Sequence, residues 1–248
     1  MHYLVMDIET IPNPEVEWKP PEDKPNAFPP INKHRIACIA GMRVDTQGPE
    51  GSCYNLACFG STDDEYNVLL DFVSQMSRTG GAPTLVTFNG RGFDMPVILA
   101  RCMRYGVQAR WAYGKDFRYR YSPAGHLDIA DQMSDYGASH RPSLLQCSQA
   151  IGMPGKVGID GSQVAQYYAD GKLDVIKEYG CLDVLQTGFI LLRWLHMKGE
   201  ISEDIYNTAV KRGLRLAEGR PLLEKAVAEM DEEILLLPAT KSIIELPF

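Results

Sequence analysis

The sequence predicts an α/β fold with a mixed central β-sheet flanked by helices, and three observations lead to it. Short apolar runs open the chain at 3–8, 36–44 and 53–59, the last two joined by the turn-forming Asp45-Thr46-Gln47-Gly48-Pro49-Glu50-Gly51. From residue 65 onward, apolar residues recur mainly at helical spacing. Between these regimes, Thr84 to Phe88, Asn89-Gly90-Arg91-Gly92 and Met95 to Tyr105 read as strand, tight loop and helix. The first three strands are expected to form an antiparallel meander, and the later ones to be joined through helices.

Taken in order, Tyr3 to Ile8 has the apolar content of a buried strand, and the two-residue period puts Asp7 and Glu9 on one face at its mouth. Ile11 to Pro30 contains Pro12, Pro14, Pro20, Pro21, Pro25, Pro29 and Pro30, which rules out regular helix or central strand. It is a long exposed loop, either a cleft border or, as the simpler reading, a surface insertion. Ser61-Thr62-Asp63-Asp64 offers N-caps to an amphipathic helix carrying Tyr66, Leu69, Leu70, Phe72, Val73 and Met76 and stopped by Gly80-Gly81. Pro96 suits the first turn of the Met95 to Tyr105 helix. Leu127 to Ala130 is read as a further strand, Ser143 to Ile151 as a helix, Met153-Pro154-Gly155-Lys156 as a turn, and Val164 to Tyr168 as a short helix. Leu173 to Met197 is one long helix, apolar over much of its circumference and therefore interior. Gly180 and Gly188 each weaken it by roughly 1 kcal/mol relative to Ala, which implies that something packs closely there. Helices over Glu203 to Arg215 and Glu218 to Leu236 close the chain.

The chain has 248 residues, 45% of them hydrophobic, enough for a sizeable core, with no interior linker forcing a split. One domain over 1–248 is expected, with 201–248 packed on the rest. The six cysteines form no C-x-x-C pair, so a disulfide framework or zinc ribbon is not expected and they read as reduced. Neither a leader-like N-terminus nor an apolar run of membrane-spanning length is present, so the expectation is a soluble cytoplasmic protein without membrane contact. A net charge of -7 argues against bulk coating of nucleic acid but leaves room for a local basic groove.

Asp7-x-Glu9 carries little by itself, because 32 acids in 248 residues give about four such pairs by chance. Two unpaired carboxylates at the end of a core strand are nonetheless costly and must be hydrated, paired or holding a metal. Asp94 precedes a helix, where N-capping is the ordinary role, yet it also follows a strand, where α/β folds place ligand-binding groups. Tyr179 and Asp183, four residues apart, share one face of the long helix, and an acid inside an apolar helix calls for an arginine, a backbone donor or a metal.

In that order, Asp7-x-Glu9, Asn89-x-x-x-Phe93-Asp94 and Tyr179-x-x-x-Asp183 resemble the three motifs of DEDD-type 3′–5′ exonucleases with an RNase H-like fold, in the tyrosine subgroup. The nearest likeness is to predicted exonucleases related to the proofreading domain of family B DNA polymerases. His126-Leu127-Asp128, Ser143-Leu144, Met153-Pro154-Gly155-Lys156 and Asp160-Gly161 are also similar to that family, so the resemblance covers roughly residues 1–200. No polymerase region follows, which implies a stand-alone nuclease. An all-oxygen set from Asp7, Glu9, Asp94 and Asp183 suits Mg²⁺ or Mn²⁺ rather than zinc. The resemblance implies two such ions, with Asp7 bridging both, Glu9 and Asp183 completing the tighter one, and Asp94 holding the second mainly through water. It makes Tyr179 the residue that positions the attacking water, and an ordinary tyrosine pKa near 10 argues against its being the main base.

The expected partner is the 3′ end of a single-stranded nucleic acid, DNA in preference to RNA, with any polymerase or repair partner left unspecified. Asn89 and Phe93 are the residues the resemblance places against the terminal nucleotide, Ile8 and Thr10 are further candidate substrate contacts, and Lys156 and Arg141 are candidate phosphate contacts. Basic and aromatic residues interleave from Arg101 to Tyr121, a pattern that suits a single strand but equally a half-buried strand or hairpin with a solvated cationic face. His126 and Asp128 are read as structural, by turn capping or arginine pairing, rather than as ligands. A catalytically silent binding module and another metal-dependent phosphoryl hydrolase remain the rival readings.

Overall fold

The structure is a computed structural model that describes residues 2–47, 51–60, 63–77, 83–155 and 157–238. The expected caps Ser61 and Thr62, the helix stop at Gly80-Gly81, Lys156 and the apolar ending 243–248 lie outside the described residues. Among those described, β1 (His2–Pro12), β2 (His34–Asp45), β3 (Ser52–Cys58), β4 (Thr84–Thr87) and β5 (His126–Asp128) form one sheet in the order β3-β2-β1-β4-β5. The first three strands are an antiparallel meander, whereas β4 and β5 run parallel to β1. The mixed sheet is as the sequence predicts.

β1 is central, so both of its faces are covered and alternate residues enter different cores. Leu4, Met6 and Ile8 pack with Val68, Leu69 and Phe72 of α1 (Glu65–Met76) and with Val97 and Ile98 of α2 (Asp94–Tyr105). Tyr3 and Val5 face the other way, toward Leu182, Leu185 and Phe189 of α7 (Leu173–Met197). Each such side chain contributes about 1.5–3 kcal/mol on burial, so the alternation fixes the strand register and commits Asp7 and Glu9 to the α7 face. The two glycines let α7 lie close on the sheet. A Cβ at Gly180 would stand 3.4 Å from Ala40 Cβ and 3.5 Å from Glu9 Cγ, and one at Gly188 would overlap Met42 Cε. α5 (Leu144–Ala150), α6 (Val164–Ala169) and α9 (Pro221–Ala228) pack on α7, and α8 (Glu203–Arg215) packs on β3 and α7.

Several boundaries differ from expectation for identifiable reasons. β1 runs on to Pro12 because β2 pairs it the whole way, Pro12 opposite His34, so the proline-rich loop begins at residue 13. The fifth strand ends at Asp128, whose side chain accepts the amide of Ala130 and starts α4 (Ile129–Met133) where extended backbone was expected. The expected helix from Glu218 to Leu236 is two: Pro221 occupies the first turn of α9, and Asp231 caps a separate α10 (Glu232–Leu235) by accepting the amides of Glu233 and Ile234. The hairpin alternative for 101–121 is replaced by helical pieces: the end of α2, a 3₁₀ turn over Arg110–Tyr113 and α3 (Lys115–Arg118).

Candidate active site

β4 pairs with β1 only at Tyr3, Leu4 and Val5, so Asp7 and Glu9 extend past its carboxyl end. There β1 has an antiparallel neighbour on one side and a parallel one on the other, a crevice in which mixed α/β sheets place ligands. The β1–β2 register shifts between Glu9 and Thr10, a bulge that bends the strand just beyond the acids. Opposite Asp7 stands Ala40, small enough for α7 to approach, and Gly180 beside Glu9 completes that approach. Three residues further along α7, Asp183 meets the strand: one carboxylate oxygen each from Asp7, Glu9 and Asp183 lies within 4.8 Å of the others. Tyr179, one turn earlier on the helix, is buried at 5% exposure.

Asp94 joins from the first turn of α2, but it is not the cap of that helix. The N-cap position is Phe93, without a side-chain cap bond, and Asp94 Oδ1 instead accepts the Ile8 amide at 3.2 Å, tying α2 to β1 between the two strand acids. It stands outside the closely spaced trio.

The electrostatics follow from burial plus like charge. Asp7 is pushed well above the usual carboxylate range by burial and by Asp94, Glu9 and Asp183; Glu9 is raised by burial, Asp183 and Asp94. Asp94 is raised to about 7, chiefly by burial. Tyr179 is driven upward by burial and then by Asp183, Glu9 and Asp7, so its phenol stays protonated. A set of buried oxygens that repel one another fits a hard divalent cation, which would supply positive charge that the described side chains around Asp7, Glu9 and Asp94 do not.

Asn89 turns the chain between β4 and α2 with φ +63°. The Asp128 carboxylate holds that turn by accepting the amides of Asn89 at 2.8 Å and Arg91 at 2.9 Å. Asp128 is therefore structural. So is His126, which hydrogen-bonds Thr87 Oγ1 at 2.9 Å and stacks on Phe117. Asn89 Oδ1 accepts from Arg141, which also pairs with Asp131 at 2.8 Å.

The proline-rich loop borders a cleft. Ile8, Glu9, Thr10, Trp18, Phe28, Pro29, His34, Phe93 and Ala165 line about 460 Å³ beside the carboxylates. Phe28 stacks on His34 at 5.2 Å and meets Phe93 edge-on at 5.4 Å. Lys33 Nζ pins the loop by donating to the carbonyls of Asn13 and Val16. Of these residues, Trp18, Phe28 and His34 were missed at the sequence level; aromatic residues inside a proline-rich stretch were the available signal. Across 101–121 the basic pattern divides. Arg101 is buried on Glu65, Arg104 pairs with Glu15 at 2.8 Å, and Phe117 turns inward, while Tyr113, Tyr119 and Tyr121 remain exposed.

Comparison with known proteins agrees with this architecture. Among solved structures, the chain is similar to the family B DNA polymerase from the hyperthermophilic archaeon Pyrobaculum calidifontis, with a TM-score of 0.52 and 17% identity over 91% of this chain and 27% of that one. At this identity the likeness speaks for the fold, and the chain spans about a quarter of the polymerase's length. No curated protein sequence matches. Among the described residues, no helix is long and apolar enough to cross a membrane. Residues 26–226 match the family described as predicted 3′-5′ exonuclease related to the exonuclease domain of PolB, a span that includes Asp94, Tyr179 and Asp183 and begins after Asp7 and Glu9. Matched over most of its length, the chain belongs to this family of predicted 3′-5′ exonucleases.

Proposed function

We propose that the protein removes nucleotides from the 3′ end of single-stranded nucleic acid, DNA in preference to RNA, using Asp7, Glu9, Asp94, Asp183 and Tyr179. The observation that supports it most is the trio of Asp7, Glu9 and Asp183 oxygens within 4.8 Å, next to a cleft with the volume and aromatic walls for one nucleoside. Asp7, Glu9 and Asp183 would hold one Mg²⁺ or Mn²⁺, and Asp94 with Asp7 a second. Two such ions, when bound, supply charge neutralisation at the phosphate, activation of water and stabilisation of the departing 3′ oxygen.

The chain's own residues do the rest. Phe93 and Phe28 offer ring faces to the terminal base, Ile8 and Thr10 border the sugar, and Asn89 faces the phosphate side through the cleft it shares with Asp7 and Arg141. A base stacked on a ring must first leave any duplex, which favours single-stranded ends. Tyr179, protonated across the working range, donates a hydrogen bond that orients the attacking water.

The test is to incubate 5′-labelled single-stranded and duplex DNA and RNA with the protein and Mg²⁺ or Mn²⁺, beside Asp7→Ala. A ladder shortening from the 3′ end that is lost in the variant supports the proposal. Binding without cleavage in both metals would overturn it in favour of a silent binding module.

A further inference from the structure

Away from the carboxylates, three tyrosines form a row whose presence the fold does not require. Tyr119 and Tyr121 are 57% and 56% exposed, yet their rings stand 5.7 Å apart, and Tyr121 meets Tyr136 at 4.6 Å. Tyr136 is held there at some cost: it and Asp135 have φ of +56° and +47°, left-handed backbone that non-glycine residues adopt under constraint. Its hydroxyl accepts from Gln132 Nε2 at 2.8 Å, which fixes the ring against Tyr121. Tyr119 and Tyr121 meet edge-on at 63° and Tyr121 and Tyr136 are tilted by 57°, so the rings brace one another while Tyr119 and Tyr121 keep much of their surface open to solvent.

The row is joined to the carboxylate site by a chain of polar contacts. Arg120 donates to Asp131 through Nε at 2.8 Å and Nη2 at 2.7 Å, Arg141 donates to the same carboxylate, and Arg141 reaches Asn89. Asn89 and Arg141 in turn line a cleft of about 410 Å³ that Asp7 borders. Arg120 and Arg141 both spend their charge on Asp131, and Arg118 lies over the Tyr113 ring. Stacking, rather than phosphate attraction, is the interaction this surface offers, and it suits a partner with π-faces and a flexible backbone.

We propose that Tyr119, Tyr121 and Tyr136 form a stacking platform for unpaired bases of a single-stranded nucleic acid upstream of the end bound at the carboxylates. This rests on the nuclease reading for its direction, though not for its existence. Base–aromatic stacking is sequence-tolerant, so the platform would add affinity with chain length and without base preference. Because few phosphates are neutralised, it would add little to the salt dependence.

The test compares the wild-type chain with Tyr119→Ala/Tyr121→Ala and with Tyr121→Phe, using a fluorescent 12-nucleotide oligothymidylate and a thymidylyl dinucleotide. Anisotropy in EDTA measures affinity, and Mg²⁺-supported hydrolysis gives kcat/KM for each length. For the double variant, the expected results are a loss of oligonucleotide affinity of about 10-fold, a similar fall in the ratio of kcat/KM between long and short substrates, and an unchanged salt slope; Tyr121→Phe retains the platform. Affinity and length ratio equal to wild type, in a variant with an unaltered melting temperature, would overturn the proposal. If no protein hydrolyses either substrate, the nuclease reading fails while the anisotropy still decides the platform: reduced affinity in the double variant supports it and equal affinity rejects it.

Discussion

Two buried acidic sites lie on opposite faces of the same sheet, and they dispose of their charge in opposite ways. On the α1–α2 face, Glu65 has a fully buried side chain that accepts from Arg101 Nε and Nη2 at 2.7 and 2.6 Å, the Ile36 amide at 2.7 Å and the Tyr105 hydroxyl at 2.9 Å. Toward α7, Asp7 and Glu9, joined by Asp94 from the start of α2, are surrounded largely by other acids, with the Ile8 amide as a relieving donor for Asp7 and Asp94. The first site is neutralised within the chain and ties α1 to α2 and β2. Among the described residues, the groups that act on Asp7, Glu9 and Asp94 are acids and backbone amides, a setting that a cation would balance.

The contrast breaks most visibly under single-atom charge removal. Asp7→Asn is expected to lower hydrolysis by about 10²–10³-fold or more, the scale of losing a preorganised electrostatic group. The same change should raise the melting temperature in EDTA, because it removes a buried charge among like charges. A variant that melts lower in EDTA would show that Asp7 has a structural partner and belongs with Glu65.

Glu65→Gln should do the reverse. Removing one member of a buried pair leaves the Arg101 charge uncompensated and costs about 3–5 kcal/mol, a fall of roughly 6–20 °C in melting temperature for a chain of this size. Hydrolysis per folded molecule should be nearly retained. Calorimetry with an active-fraction assay separates the two quantities, and a stable but inactive Glu65→Gln would remove the distinction between the sites.

Unequal portions of this were legible in the sequence. The α7 helix was readable end to end because its apolar residues encircle it, and Gly180 and Gly188 announced the close approach that the structure shows toward Ala40, Glu9 and Met42. The carboxylates were singled out through the resemblance of Asp7-x-Glu9, Asn89-x-x-x-Phe93-Asp94 and Tyr179-x-x-x-Asp183 to exonuclease motifs, since each pattern alone carries little, and the structure brings Asp7, Glu9 and Asp183 together. What stayed hidden depends on contacts distant in sequence. Nothing local told Asp94 to turn from its own helix to the Ile8 amide 86 residues away, or told Arg101 to leave a basic run for Glu65. The Trp18 and Phe28 wall was concealed for the same reason, since a proline-rich loop has no periodicity to say which side chains line the cleft.

A smaller effect separates the sites by pH. Asp94 has a folded pKa of about 7, above its unfolded value of about 3.9, so its carboxyl favours folding at low pH. That contribution is fully present below the unfolded value and lost as pH rises through about 7. His126, lowered to about 3 by burial and Arg91, acts oppositely: its contribution is present above the unfolded value of about 6.5 and is lost as pH falls. The readable quantity is therefore the difference between melting curves in EDTA and in Mg²⁺ from pH 5 to 8. Stabilisation by Mg²⁺ should grow with pH in the wild type and grow less in Asp7→Asn, while a pH-independent increment would argue against cation binding at these acids.

The smallest expected change concerns the one neutral member of the α7-face site. Burial and the neighbouring Asp183, Glu9, Asp7 and Asp160 push the Tyr179 phenol above its ordinary range, so at neutral pH it stays protonated and serves as a hydrogen-bond donor rather than a base. Tyr179→Phe then removes that donor without altering the charge of the site, and a loss of about 10–10²-fold in kcat is expected, the scale of one hydrogen bond to a charged or developing group. Asp7→Ala should cost more. The pH–rate profile distinguishes orientation from base catalysis: a positioning tyrosine leaves the limbs of the profile where they were when it is replaced by Phe. Disappearance of the ascending limb, or a loss greater than that of Asp7→Ala with metal saturating, would mean that Tyr179 takes the proton.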